Sequence, residues 1–220
     1  MNMDTAILIS LTTVRCYMDT SKSFSIASIA RECEIDKETF YQHFPDKTSA
    51  LEFFYTSIPL RYREMVDEIE GYDQFPAGVK IATYVYCIFD MLEEEPEFVR
   101  ETFDPYVFKT WLTSEFESES RKLISEFLEN EHHIPPMNKV VLNLPVDRFL
   151  AYELLHVIKF WLDDTSGESA RSAELVEKLT AFIDEMLHTA VADRGYDLAK
   201  FLITYGVIRI PVPFIGRLLR

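Results

Sequence analysis

Between Ser25 and Lys47 the chain gathers side chains that donate hydrogen bonds: Ser25, Lys37, Thr39, Tyr41, Gln42, His43 and Lys47. Tyr41, His43 and Lys47 suit phosphate oxygens, and hydroxyls such as Ser25 and Thr39 add to them near helix N-termini, where the helix dipole favours an anion. Lys37, Thr39 and Gln42 suit base edges, lysine towards guanine and glutamine towards adenine. Elsewhere the chemistry is thinner. Glu131-His132-His133 invites a metal, but adjacent histidines point to different sides of a helix, no HExxH spacing accompanies them, and Pro135-Pro136 follows. A loop or helix end is the better account. Asp163-Asp164 and Glu93-Glu94-Glu95 close apolar helical patterns beside glycine or proline, as solvated helix ends do. Cys16, Cys33 and Cys87 are odd in number and unpaired by any CxxC, so neither a disulfide framework nor zinc is indicated, and a reducing cytoplasm fits them. No catalytic group, metal or cofactor is expected.

The donors need elements to aim them. Ile7, Leu11, Val14 and Met18 recur at spacings of four, three and four, one face of a helix. Ser25 can cap a short helix containing Ile26, Ile29 and Ala30, and Asp36 a second containing Phe40. Pro45 stops the chain, Asp46 offers a third cap, and Ala50, Leu51, Phe54 and Ile58 form a stripe that Pro59 is expected to interrupt. Two short capped helices joined by a tight turn behind a longer one outline a helix-turn-helix, whose second helix enters the DNA major groove. Ile29, Ala30, Phe40 and Phe44 are its expected core. Downstream, Val79 to Leu92, Phe116 to Leu128, Val146 to Leu162 and Ala170 to Leu187 read as long helices. Breaks are expected at Gly71 to Pro76, Pro96, Asp104-Pro105, His133 to Pro136, Pro145 and Thr165 to Gly167. No strand alternation competes, so the fold class is all-α. A helix-turn-helix domain over 1–57 and a larger helical domain over 58–220 are expected.

The run from Ser25 to Lys47 resembles the DNA-binding domain of tetracycline-repressor-like (TetR family) transcriptional regulators. Ser25, Ile29, Ala30, Lys37, Thr39, Tyr41, His43, Phe44, Pro45 and Lys47 occupy the places of the family pattern: a Ser/Thr cap, an Ile-Ala pair, a turn, a recognition helix and a Pro-x-Lys ending. Glu34 stands where the family usually has a turn glycine, Glu38 replaces another glycine at the recognition-helix start, and the usual basic N-terminal arm is missing. Left-handed backbone at a glutamate implies strain or an altered turn. The resemblance implies a ligand-responsive regulator, a repressor that binds a palindromic double-stranded operator as a homodimer through the helices of Val146 to Leu162 and Ala170 to Leu187. It also implies an effector pocket in the central region. Tyr84, Phe89, Phe103, Tyr106, Phe108, Trp111 and Phe127 are candidate walls for a small apolar or aromatic ligand oriented by the Tyr84 or Tyr106 hydroxyl. Packing in the bundle core is the competing role for these aromatics.

Whole-chain composition bounds the alternatives. With 220 residues, 48% hydrophobic, the chain can build a real core, and no apolar run reaches the ~20 residues of a membrane-spanning helix. The formal net charge of −15 argues against a protein that coats nucleic acid without specificity. Even residues 1–57 hold five basic against eight acidic side chains, −3, so DNA binding should depend on dimerisation, oriented helix ends and neutral donors. The acidic head keeps open a second reading, a protein of this fold that has lost operator affinity and acts as an interaction module. A helical metal-dependent enzyme using His132 and His133 is a third. From Arg194 the balance reverses to +4 around the apolar stretch 201–216, which fits a strap on the acidic body or dimer partner better than an interfacial membrane segment, because Pro211 and Pro213 break it.

Overall fold

The computed structural model describes residues 3–21, 23–110, 113–131, 134–135, 138 and 145–189. Trp111, His132, His133 and the tail from Arg194 lie outside the described residues.

Helices α1 (Met3–Met18), α2 (Ile26–Glu32) and α3 (Lys37–His43) begin the chain, and α4 (Lys47–Asp67) follows. The expected caps form: Ser25, Asp36 and Asp46 accept the backbone N–H groups of Ser28, Thr39 and Ser49. Between α2 and α3 Glu34 adopts φ 57°, the left-handed turn expected where glycine is missing. A first core joins these helices through Ala6, Ile9, Cys16, Ile29, Cys33, Phe40, Phe44, Ala50 and Phe53. The buried Ser10 hydroxyl donates to the Ala50 carbonyl at 2.7 Å and fastens α1 to α4.

Pro59 does not end α4. Its missing N–H leaves the Tyr55 carbonyl without its helical donor, a loss of about 3 kcal/mol in a helix interior. Burial of Leu51, Phe54 and Ile58 on the same helix stabilises by about 1.5–3 kcal/mol each, so packing wins and the helix runs on to Asp67. The α4 helix therefore crosses position 57 unbroken. Ala50 and Phe53 pack in the first core, while Leu51, Phe54, Tyr55, Ile58 and Tyr62 pack in a second, larger one.

That second core is closed by α5 (Ala77–Leu92), α6 (Pro96–Phe103), α7 (Glu115–Glu129), α8 (Val146–Leu162) and α9 (Ala170–His188). The four long helices expected here are present, and among the described residues there is no strand. Pro96 opens α6 at its first turn, where its missing N–H costs nothing. Asp104-Pro105 is not a break. The chain widens into one π turn over Asp104–Phe108, with the Lys109 N–H on the Asp104 carbonyl at 2.8 Å, and this wider ring absorbs the proline. Gly78 lets α5 and α9 touch, since a Cβ there would lie 3.0 Å from the Thr180 carbonyl oxygen. Lys80 is 2% exposed, yet its ammonium donates to the Asp73 carbonyl at 2.7 Å and lies 5.7 Å from the centre of the Tyr72 ring.

Candidate nucleic-acid interface and ligand clefts

Helix α3 is held from behind and bare in front. Phe40 and Phe44 are buried against α1 and α4, with the Phe44 ring 5.3 Å from that of Phe53, and this fixes which side of α3 faces out. Lys37, Tyr41 and Gln42 are exposed on that outer side, Tyr41 at 56%. Thr39 is half-buried, with its N–H on the Asp36 carboxylate at 2.7 Å.

The remaining expected contacts already have work inside the head. Ser25 caps α2 in a reciprocal arrangement with Ser28, whose hydroxyl also donates to the Ser23 carbonyl. Lys47 donates to the Phe24 carbonyl at 2.8 Å and stands 4.0 Å over the Phe24 ring, so part of its donor capacity is spent on fixing the chain before α2. His43 is half-buried against Phe44, and its Nδ1 is enclosed without a hydrogen bond among the described residues. The N-terminal amides of α3 and α4 hold Asp36 and Asp46, and those bonds depress both carboxyl pKa values. Anion-binding positions at these two helix starts are thus filled by the chain's own carboxylates.

The head meets the body on α6 as well as through α4. Tyr17 lies between Phe24 and Phe98, edge-on to each, and its hydroxyl donates to Glu101 at 2.5 Å. That hydrogen bond, then burial and the Glu101 charge, pushes the phenol up to about 12. Arg15 pairs at 3.0 Å with Glu95, the residue before α6.

In the body the expected wall aromatics do not gather around one cavity. Phe89 stacks on Trp161 at 4.8 Å, Phe103 packs on Tyr55, and Phe127 packs on Tyr62 and Tyr84. These three fill the core. Tyr84 is fully buried with its hydroxyl 2.7 Å from that of Ser120, and burial raises its pKa well beyond the ordinary phenol range. Among the described residues three expected aromatics line empty space, Tyr84 in one place and Phe108 and Tyr106 in two clefts that adjoin through Val107, Thr110 and Thr113. Tyr84 touches a groove of about 310 Å³ between α5, α8 and α9, whose walls are almost wholly apolar. Phe108 lines a cleft of about 500 Å³ against α8 with Arg148, Phe149 and Tyr152. Tyr106 lines one of about 460 Å³ between α4, the π turn and the start of α7.

This last cleft contains side chains that sequence reading missed. Glu52, Tyr55 and Thr56 face it from α4, and Ser114, Glu115 and Phe116 from α7. The available signal was the spacing i, i+3, i+4 of Glu52, Tyr55 and Thr56 within an otherwise apolar stretch. Glu52 is raised above the usual carboxylate range by partial burial and by the charges of Asp46 and Glu115.

Helices α8 and α9 also carry exposed apolar side chains that no other described residue covers. Phe149, Tyr152 and Phe160 recur along α8, and Leu179, Phe182 and Met186 along α9, with Phe149 61% and Phe182 65% exposed. Such a stripe on each of two helices is more than the scattered apolar surface of a monomer.

A family model described as "Tetracyclin repressor-like, C-terminal domain" matches residues 80–202, more than half of the chain and entirely beyond the Ser25 to Lys47 motif. The comparison with curated proteins finds no match.

Proposed function

The chain belongs to the tetracycline-repressor-like family, and from that premise we propose that it is a ligand-responsive transcriptional repressor that binds a palindromic operator as a homodimer. The observation that carries this reading is α3, anchored by Phe40 and Phe44 with Lys37, Tyr41 and Gln42 turned outward. In this proposal residues 1–57 are the reading head and residues 58–220 the effector and dimerisation body, with α4 shared between them. Lys37, Thr39 and Gln42 read bases. Tyr41, His43 and Lys47 hold phosphates, with Ser25 positioning the start of α2. Two heads about 34–36 Å apart would address successive major grooves, which a single chain cannot do. The effector enters the body at the cleft lined by Tyr106, the expected wall residue that faces a cavity on α4 itself. A ligand that favours a different placement of α4 would lower operator affinity, and operator would weaken ligand binding by the same factor.

Selection of random DNA by the purified protein at low and moderate salt tests the reading. A palindromic consensus is expected, with Gln42→Ala relaxing preference at one base pair per half-site at a cost of about 1–3 kcal/mol. No enrichment at low salt would overturn it. The head's net charge of −3 and the carboxylates at the starts of α3 and α4 favour the interaction-module reading in that event.

A further inference from the structure

We propose that segment 201–216 of this chain lies in the apolar groove between α5, α8 and α9 and pairs Arg209 with Glu153. The proposal goes beyond the regulator reading and does not rest on it. Ile81, Val85, Leu154 and Ile183 are buried at the floor of the groove, exposed Phe149 and Phe182 form its rims, and Glu153 is the one charged side chain among its described walls. Glu153 is half-buried and has no ion pair or side-chain hydrogen bond among the described residues. A carboxylate on an apolar wall gives up part of its hydration, and a cation is the partner that offsets the loss. Segment 201–216 has the complementary pattern, since Arg209 is its one charge and Val207, Ile208, Ile210 and Val212 flank it. A single charge in each of two apolar surfaces sets a register between them.

The chain leads to this place. Met186, two residues before the end of α9, lines the groove. From Thr189 to the segment the chain can span up to about 40 Å, well over the ~15 Å that α9 covers from Met186 back to Val176. A connection this short gives the segment a millimolar effective concentration, which a micromolar second copy does not match. Charge adds to the attraction, because the stretch from Arg194 carries +4 and the body holds all of the chain's excess acidic charge. Pro211 and Pro213 favour extended backbone at Ile210 and Val212, thin enough to lie between two helices. A volume of about 310 Å³ takes a few aliphatic side chains, so Ile208 and Ile210 beside Arg209 fill it and the rest of the segment runs over the rims. Tyr152 and Phe160 line no part of the groove and stay open to a second copy.

Chymotrypsin cleaves after Tyr205, and for a docked segment the rate follows the undocked fraction. In the full chain, E153R and R209E should each speed this cleavage about fivefold, the effect of one half-exposed ion pair, and E153R/R209E should bring it back to within about twofold of the parent rate. E177R, the same charge change on α9 outside the groove, should leave the rate unaltered. Benzoylphenylalanine in place of Leu150, a half-buried groove residue, should photo-crosslink to 201–216. In an equal mixture of unlabelled and nitrogen-15-labelled chains, every such product should have the mass of a single chain. Parent cleavage as fast as that of E153R, or a double reversal that fails to restore protection, would overturn the pairing. Crosslinks between chains would overturn docking on the same chain and give the groove to a second copy. Protection of Tyr205 only after phosphatidylglycerol vesicles are added would overturn it in favour of a membrane surface.

Discussion

Glu34 shows how one side chain records a conflict between backbone and composition. Its φ of 57° is required by the turn between α2 and α3, where the Ile35 N–H returns to the Ala30 carbonyl at 2.9 Å, and a β-carbon makes this conformation cost about 1–2 kcal/mol. Glycine at this position removes the strain but adds freedom to the unfolded chain, so the expected net gain from Glu34→Gly is about 0.5–1 kcal/mol. Thermal denaturation of the variant checks it, and an unchanged or lower midpoint would show that the Glu34 side chain compensates. The substitution also takes the head from −3 to −2 and so should strengthen DNA binding modestly at low salt.

At the next scale, helix ends were legible in the sequence where a short polar side chain decides them. Ser25, Asp36 and Asp46 cap as expected, because an N-cap is settled within three residues. Pro59 and Pro105 misled because their cost is local while the gain that outweighs it comes from packing against distant helices. The dispersal of the central aromatics was illegible for the same reason. Phe89 meets Trp161 and Phe103 meets Tyr55 only after the bundle closes, and no spacing along one helix shows which side chain across the core will be its partner. His188 was likewise unforeseen. It lies at the end of α9 with Nδ1 2.9 Å from the Asp184 carbonyl and Nε2 3.4 Å from Glu131, whose other oxygen accepts the Ala77 N–H at 2.5 Å. The ends of α5, α7 and α9 meet in this one latch. The bond to the Asp184 backbone, followed by the charges of Asp184 and Glu131, raises the imidazole above its ordinary value. A raised folded-state value means that the latch contributes fully below about pH 6.5 and loses its contribution as pH rises through the folded value. Replacing His188 by Gln should therefore cost more stability at pH 5.5 than at pH 8.5, by under about 1 kcal/mol because the pair is partly exposed. Urea denaturation at the two pH values checks this, and equal costs would show that the protonated form is not favoured.

At the scale of the whole molecule, the proposed dimerisation and DNA binding would pull in opposite directions with salt. Each chain carries a formal charge of −15, so two chains repel at long range, and a force that joined them in the proposed dimer would have to be apolar. Phe149, Tyr152 and Phe160 on α8 with Leu179, Phe182 and Met186 on α9 supply such a face, and a two-fold axis would use every one of these contacts twice. Salt shortens the reach of the repulsion to about 10 Å at 0.1 M and leaves the apolar contact intact, so dimer affinity should rise between 20 and 200 mM salt. Head-to-phosphate contacts weaken over the same range. Operator affinity should accordingly pass through a maximum with salt, instead of falling steadily as it does for a basic binding protein. Phe182→Glu separates the two effects. A carboxylate carried into an apolar interface on both sides of the axis costs several kcal/mol, which is enough to make a micromolar sample monomeric. Sedimentation equilibrium should show the parent chain as a dimer and the variant as a monomer, and the variant should lose the maximum because a single head reads only a half-site. A parent chain that sediments as a monomer at micromolar concentration with operator present, or a variant that remains a dimer, would remove α8 and α9 from the interface.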